Sequence, residues 1–144
     1  MAITSAICNS FKVEILTATH NFTASSGNTF NLALYTSSAT LNKSTTAYTT
    51  SNEVATATGY TAKGKALTSV TPVLSTDTAV CDFANVSWTS ASFTSRGCLI
   101  FNDSAASDQS VCSIDFGGDK TVTSGTFTIE FPAATAGNAI IGIA

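Results

Sequence analysis

An alternating pattern of large apolar residues runs through TFNLALYT, residues 29–36. Phe30, Leu32 and Leu34 share one parity there, which places them on one face of an extended strand. The same period of two returns along the chain and predicts about eight strands in all. Besides residues 29–36, strands are expected at 79–83 (continuing at Val86 and Trp88), 93–101, 111–116, 127–131 and 138–144, with weaker ones at 54–60 and 66–74.

The connections between these strands are short. Residues 102–109 and the GGDK sequence at 117–120 are expected to form turns between antiparallel neighbours. Short strands without intervening helices favour an all-β antiparallel sandwich or jelly-roll-like fold over a parallel sheet. The length of 144 residues fits a single domain, residues 1–144. The 25 Thr and 19 Ser residues suit the outer faces of its sheets, since Thr is β-branched, polar and uncharged.

One α-helix is expected near the N-terminus, over residues 5–20 of an N-terminal helical segment, 1–22. Its apolar residues recur at helical spacing: Ile7, Phe11, Ile15 and Ala18. Thr4 or Ser5 can cap its first turn. Val13 and Leu16 point away from that apolar face. Either the loop of residues 21–28 covers these two side chains, or they contact something outside the domain core.

The polar stretch of residues 37–52 shows no periodicity, and it holds Leu41 and Tyr48 among Ser, Thr, Asn and Ala. A loop of this length is uncommon inside a compact domain and often carries contacts. The sequence leaves two interpretations open, namely a floppy loop and an ordered arm that lies along a neighbouring subunit.

The charge of the chain excludes several functional classes. Six Lys and Arg against nine Asp and Glu give a net charge of −3, which argues against electrostatic binding to nucleic acid or anionic lipid. No apolar run approaches the roughly 18 residues that span a bilayer, and the first residues do not read as a secretory signal. We therefore expect synthesis in a cytoplasm, where the four cysteines stay reduced. Cys98 and Cys112 flank a predicted hairpin loop and are the one pair that could meet.

Candidate catalytic and metal-binding residues are few. His20 is the one histidine, and its expected place at the helix C-terminus favours a structural role over nucleophile activation. The pairs Asp103/Asp108 and Asp115/Asp119 could bind a calcium ion. The preference of Asp for turns accounts better for its presence at these positions. Hydrolysis of a polysaccharide would need two convergent carboxylates in one cleft. We predict a non-enzymatic chain with no catalytic, cofactor-binding or metal-ligating residues.

Several segments resemble small virion proteins of tailed bacteriophages. They are FKVEIL at 11–16, HNFT at 20–23, LYTSSATL at 34–41, EV at 53–54, GYTA at 59–62, RGCLIF at 96–101 and FTIEFPA at 127–133. Lys63 stands where Gly is usual in this family, a departure that touches a turn. Together the segments extend over nearly the whole chain.

This resemblance implies a structural protein of the virion, most directly a capsid decoration (cement) protein. Such proteins bind the outside of the expanded head, often as homotrimers, and their partner is the major capsid protein. The resemblance transfers no catalytic or ligand residue. The alternative is a receptor-binding or head- or tail-fibre module that recognises the host surface, where sugar recognition needs outward aromatic side chains. Tyr35, Tyr48 and Tyr60 lie outside the predicted core parity and are the candidates for that role.

Overall fold

The fold is a sandwich of two antiparallel sheets with one short helix, which confirms the expected all-β class. The computed structural model describes residues 2–57 and 59–144. Its elements in chain order are β1 (Ala6–Ile7), α1 (Asn9–Leu16), β2 (Phe30–Tyr35), β3 (Lys65–Ala66), β4 (Ser69–Ser75), β5 (Thr78–Phe83), β6 (Val86–Asn102), β7 (Ser110–Ile129) and β8 (Ile141–Ile143). The larger sheet has five strands in the order β1-β7-β6-β2-β3, and the smaller sheet has three in the order β4-β5-β8.

Strand β2 is buried on both faces. On one face Phe30, Leu32 and Leu34 join the main core, together with residues of the helix and of the smaller sheet. On the other face Ala33 and Tyr35 join a second, smaller apolar cluster. The alternation in residues 29–36 therefore sorts the side chains between two buried layers, because both faces of this strand are covered.

Residues 37–52 cover the second cluster from the same chain. Ala39 and Leu41 are each only 1% exposed. Leu41 pairs with Ile3 in a parallel bridge, and its carbonyl accepts a hydrogen bond from the Thr4 amide at 2.8 Å. The interpretation of this stretch as an arm along a neighbouring subunit is wrong, and it is not a loop free of contacts either. It forms an ordered third layer on its own sheet.

The helix is shorter than its apolar spacing predicts, since it spans Asn9–Leu16 instead of residues 5–20. The residues before it form β1 on the edge of β7, and strand pairing of this backbone excludes a helix there. The predicted cap is wrong for the same reason: the Ser5 hydroxyl accepts a hydrogen bond from the Asp115 amide at 2.9 Å. Just after the helix, Ala18 has a positive φ of 60°, which stops the helical path.

Strands β6 and β7 form one long hairpin of 17 and 20 residues that takes up four of the predicted strand segments. The turn expected at 102–109 connects them and is confirmed. The predicted continuation from 79–83 to Trp88 is wrong in one respect. β5 ends at Phe83 in the smaller sheet, and β6 begins at Val86 in the larger one, so the chain changes sheets between these residues.

The turn expected at 117–120 is wrong, because these residues lie inside β7. Ser95 pairs with Lys120 and Gly97 pairs with Asp115, so β7 advances five residues where β6 advances two. The extra residues of β7 form a wide bulge. Gly117 has a φ of +78° within it, a conformation that residues other than glycine adopt at a cost.

Two weaker strand predictions are wrong in detail. Within residues 54–57 and 59–60 there is no strand, and Thr58 lies outside the described residues. Ala57 and Tyr60 instead exchange two backbone hydrogen bonds of 3.1 and 2.9 Å in an isolated bridge. Residues 66–74 divide between β3 and β4.

The four cysteines are free in the structure. Cys98 lies opposite Ile114 and Cys112 lies opposite Ile100, so the two thiols do not face each other across the hairpin. Burial raises the pKa of Cys112 to about 12 and raises that of Cys98 well above its usual value. Both thiols are therefore protonated at neutral pH, and neither has the thiolate character that reactivity requires.

Candidate functional site

His20 lies in a buried hydrogen-bond chain. Its Nε2 is 2.7 Å from a Glu14 carboxylate oxygen, and its Nδ1 is 3.1 Å from the Asn102 amide nitrogen. The Asn102 side chain is oriented by the Ser104 amide, which donates to its Oδ1 at 3.0 Å. Asn102 must then donate to Nδ1, and Nε2–H must donate to Glu14. Both ring nitrogens are thus occupied, so His20 holds the chain after α1 in place and presents no free nitrogen to a nucleophile.

The expected position of His20 at the helix C-terminus is wrong. It lies beyond Leu16, the last helical residue, and binds a carboxylate and an amide in place of terminal carbonyl groups. That the chain is not an enzyme stays a prediction from the sequence.

Three of the four paired carboxylates, those of Asp103, Asp108 and Asp115, contact cations of the chain itself. Asp103 and Asp108 each lie 2.9 Å from the Lys63 ammonium group. Asp115 accepts a hydrogen bond from Arg96 Nε at 2.9 Å, and this guanidinium lowers the pKa of the Asp115 carboxyl. Across the described residues, no group of three or more His, Cys, Asp or Glu side chains is placed to hold a metal ion.

Two of the three tyrosines, Tyr48 and Tyr60, meet at the carboxylate of Glu53, a residue that the sequence pattern did not mark as functional. Its oxygens accept hydrogen bonds from the Tyr48 hydroxyl at 2.6 Å and the Tyr60 hydroxyl at 2.7 Å. The Tyr60 oxygen also accepts a hydrogen bond from the Leu34 amide at 2.9 Å. Tyr35 and Tyr60 are buried, and Tyr48 is half-buried, so the expectation of outward aromatic surfaces is wrong for the first two.

These contacts change the acidity of the phenols. Burial, followed by the hydrogen bond to the Glu53 carboxylate, raises the pKa of Tyr48 to about 12. Burial also raises the pKa of Tyr35 and of Tyr60 far above the ordinary value. The cluster is a structural network that holds Tyr48, Glu53 and Tyr60 together and attaches them to β2 through the Leu34 amide.

Helix α1 presents two large apolar side chains to solvent. Val13 is 64% exposed and Leu16 is 86% exposed. The alternative in which residues 21–28 cover them is therefore wrong. The opposite side of the helix is anchored in the core by Phe11, which is 3% exposed, so the two exposed side chains stand on a fixed base. Helical spacing in the sequence placed both side chains away from the apolar face but left open whether a loop covers them. We call this exposed surface the helix patch.

The smaller sheet presents a second set of exposed apolar residues. Val73 and Leu74 of β4 are 56% and 71% exposed, and Ile143 of β8 is 55% exposed. Leu74, Ala79 and Ile143 are consecutive cross-strand partners, so they form one row across all three strands. The sequence did not indicate this row, because SVTPVLS at 69–75 has no clean alternation.

A groove of about 900 Å³ opens along β7. Its lining includes β1, the residues Ala139 and Ile140 that lead directly into β8, and the charged residues Lys120 and Glu130. The apolar floor and sides are formed mainly by Ile114, Phe116, Val122, Phe127, Ile129 and Phe131. These side chains are only partly buried, although they pack against the main core. The groove is thus a part of the inner face of the larger sheet that the smaller sheet leaves uncovered.

None of these surfaces is explained by similarity to a known protein. In the part of the chain that the structure describes, no helix is long and apolar enough to cross a membrane. Comparison of the chain with protein-family models, with curated proteins and with solved structures finds no match.

Proposed function

We propose that this chain is a structural protein of a bacteriophage virion, and specifically a decoration protein that binds the outside of the expanded capsid. The observation that carries the proposal is the helix patch, in which Val13 and Leu16 are exposed on a rigid base. The sequence segments resemble small phage virion proteins, and this resemblance indicates that the partner is the major capsid protein.

The helix patch has the energetics of a small docking contact. Burial of one Val or Leu side chain contributes about 1.5–3 kcal/mol when it leaves water. Two such side chains are insufficient for tight binding by one copy, because association itself carries a large entropic cost. Many copies joined in one assembly bind far more tightly than a single copy does. A weak contact of this kind therefore suits a protein that covers a repetitive shell.

The outer face of the β6–β7 hairpin at residues 86–95 and 120–129 suits exposure on a particle. Ser87 and Thr128 join their hydroxyl groups at 2.8 Å across the strands, and so do Thr94 and Thr121. Cross-strand pairs of this kind stabilise a sheet without charged groups. The chain can thus present an ordered, uncharged surface to solvent.

The receptor-binding or fibre alternative has less support. Tyr35 and Tyr60 are buried, so they cannot stack on a sugar ring. Tyr48 is half-buried, and its ring stacks on Phe101 with centroids 4.8 Å apart. The decoration role is therefore the one we put forward.

The test is binding of the purified chain to expanded capsids of the same phage from which the decoration layer is missing. The double variant V13S/L16S should bind at least tenfold more weakly, the equivalent of about 1.4 kcal/mol. Its urea midpoint should equal that of the wild type, because both side chains are already exposed.

The matched control is Ala106→Ser, the same kind of change at an exposed position in the loop between β6 and β7. This variant should bind as the wild type does. Equal binding by V13S/L16S and the wild type would overturn the helix patch as the docking site. A wild-type chain that does not bind capsids would overturn the proposed function.

A further inference from the structure

We propose that helix α1 docks lengthwise into an apolar groove of the major capsid protein, and that carboxylate side chains of this partner face Lys12 and Lys43 beside the first turn of the helix. This inference rests on the proposed function and adds the chemistry of the partner surface. The contact has an apolar half and an ionic half.

The exposed residues of α1 form one continuous stripe. They follow one side of the helix at spacings of three and four residues: Asn9, Lys12, Val13 and Leu16. The other residues of the helix are buried or only partly exposed. Residues at these spacings are neighbours on a helix surface, and helices enter grooves of other proteins with such stripes. The stripe extends about 10 Å along the helix axis, so the partner groove must accommodate two turns of helix.

The two ends of the stripe differ in chemistry. Val13 and Leu16 form the apolar end, which is the helix patch. At the other end, the Lys12 ammonium group donates a hydrogen bond to Asn9 Oδ1 at 3.2 Å. The Asn9 amide donates to the Lys43 carbonyl at 2.7 Å, which brings Lys43 beside the first residue of the helix. Two exposed lysines therefore border one end of the stripe.

No carboxylate of the described chain neutralises these two lysines. The four ion pairs within residues 2–57 and 59–144 involve neither of them. The first turn of α1 has no acidic residue. Glu14, the one acid of the helix, binds His20 at 2.7 Å, and its side chain is only 20% exposed. This end of the molecule is thus locally cationic, although the chain has a net charge of −3.

Charge complementarity follows from the position of Lys12 within the stripe. When Val13 and Leu16 enter an apolar groove, Lys12 lies inside the same contact. An ammonium group that leaves water without an opposite charge is strongly disfavoured, whereas a facing carboxylate compensates for the lost hydration. Complementary charges also accelerate association and fix the register of a contact. The stripe therefore fits a groove that has carboxylates at one end.

The combination of charge and apolar surface indicates a protein partner. A polyanion such as nucleic acid would engage the two lysines but leave Val13 and Leu16 in water, and the net charge of −3 opposes its approach. A protein groove can present apolar side chains and carboxylates side by side. The major capsid protein is the partner that the proposed function names.

The test is the rate and affinity of binding to immobilised expanded capsids at about 0.05 M and about 0.5 M NaCl, between which the screening length changes about threefold. The wild type should bind at least fivefold more weakly at the higher salt concentration. Lys12→Glu should bind at least tenfold more weakly at the lower one, mainly through slower association. Lys43→Gln should bind at least threefold more weakly, and Lys12→Arg, which keeps the charge, should bind as the wild type does.

The matched control is Lys120→Glu, the same charge reversal at an exposed lysine of β7. Lys120 also forms no ion pair among the described residues. This variant should bind as the wild type does, because it changes the net charge equally but lies outside the stripe. Circular dichroism and the urea midpoint of each variant check that the fold is retained.

Cross-linking identifies the partner groups directly. A carbodiimide joins a lysine amine to a carboxylate that contacts it. Mass spectrometry of cross-linked particles should find Lys12 or Lys43 joined to an Asp or Glu of the major capsid protein. In Lys12→Arg particles, the Lys12 link should be absent. Capsid links that involve other lysines only would overturn the inference.

The binding experiment separates this inference from the proposed function. Binding of the wild type that does not depend on salt, unchanged binding by Lys12→Glu, or equal weakening by Lys120→Glu would overturn the inference. The proposed function would still stand in these cases if V13S/L16S binds weakly. A wild type that binds capsids at neither salt concentration would overturn both.

Discussion

The two halves of the β6–β7 hairpin are covered very differently. In the closed half, residues 97–102 of β6 pair with both β2 and residues 110–115 of β7. Every residue from 97 to 102 is buried there, on both faces of the sheet. In the open half, residues 86–95 pair with 120–129, and no other strand lies beside them in the described chain.

Within the open half, the two strands also differ. Trp88 and Ala91 of β6 are 1% and 0% exposed, because Tyr60 and its neighbours lie against them. Phe127, the cross-strand partner of Trp88, instead faces the groove. Apolar burial within the chain is therefore concentrated in the closed half, and the apolar surface of β7 in the open half stays only partly buried.

The strongest test of this comparison deletes the same side chain in each half. Phe101→Ala in the closed half should cost about 3–5 kcal/mol of unfolding free energy, because the side chain is fully buried. Phe127→Ala in the open half should cost about half as much, since its ring is only partly buried. Urea unfolding at concentrations that keep the chain monomeric measures both values. Equal costs would mean that the groove is as well packed as the core.

The second test concerns Tyr60, which covers β6 in the open half. Its ring lies 6.2 Å from that of Trp88 and 5.7 Å from that of Phe93. Tyr60→Phe keeps this packing but removes the hydroxyl that donates to Glu53 and accepts from the Leu34 amide. We expect a loss of about 1–3 kcal/mol, because a buried amide is left without a partner. Tyr48→Phe, which leaves no backbone amide unpaired, should cost less under the same urea titration.

The third test raises the pH and follows the ionisation of the tyrosines together with the loss of folded structure. The chain has three tyrosines, and the pKa of each is raised in the folded state, that of Tyr48 to about 12. A raised phenol pKa stabilises the fold fully below the unfolded pKa of about 10, and this stabilisation is lost as pH rises toward the folded value. Tyrosinate absorbance near 295 nm should therefore rise above pH 10 together with loss of the circular dichroism signal. A tyrosinate signal with a midpoint near 10 in a folded chain would contradict the buried network.

The alternation of apolar residues along the sequence was enough to predict the strands of the closed half. The period of two in residues 29–36 and 98–101 arises because alternate side chains enter different layers. Phe93 has the parity of Leu99 and Phe101 but lies in the main core, because the register shifts between Ser95 and Gly97. It did not reveal that both layers are buried, since Ala33 and Tyr35 are compatible with a solvent face as well. The pair Gly117-Gly118 was misread as a turn, because glycine suits a turn and a bulge equally.

The helix patch and the groove also differ in how far the sequence predicts them. Helical spacing places Val13 and Leu16 opposite Phe11, but only the structure shows that the helix patch is exposed. The groove has no local signal, because it depends on the difference in width between two sheets formed by distant segments. The β1 pairing that shortens the helix is likewise a tertiary contact, and no cap or spacing in residues 5–20 indicates it.

The most direct test of the central claim is the copy number of this chain in purified virions, measured by quantitative mass spectrometry against the major capsid protein. A decoration protein should be present in numbers comparable to those of the capsid protein. A few copies per particle, or none, would contradict the decoration role.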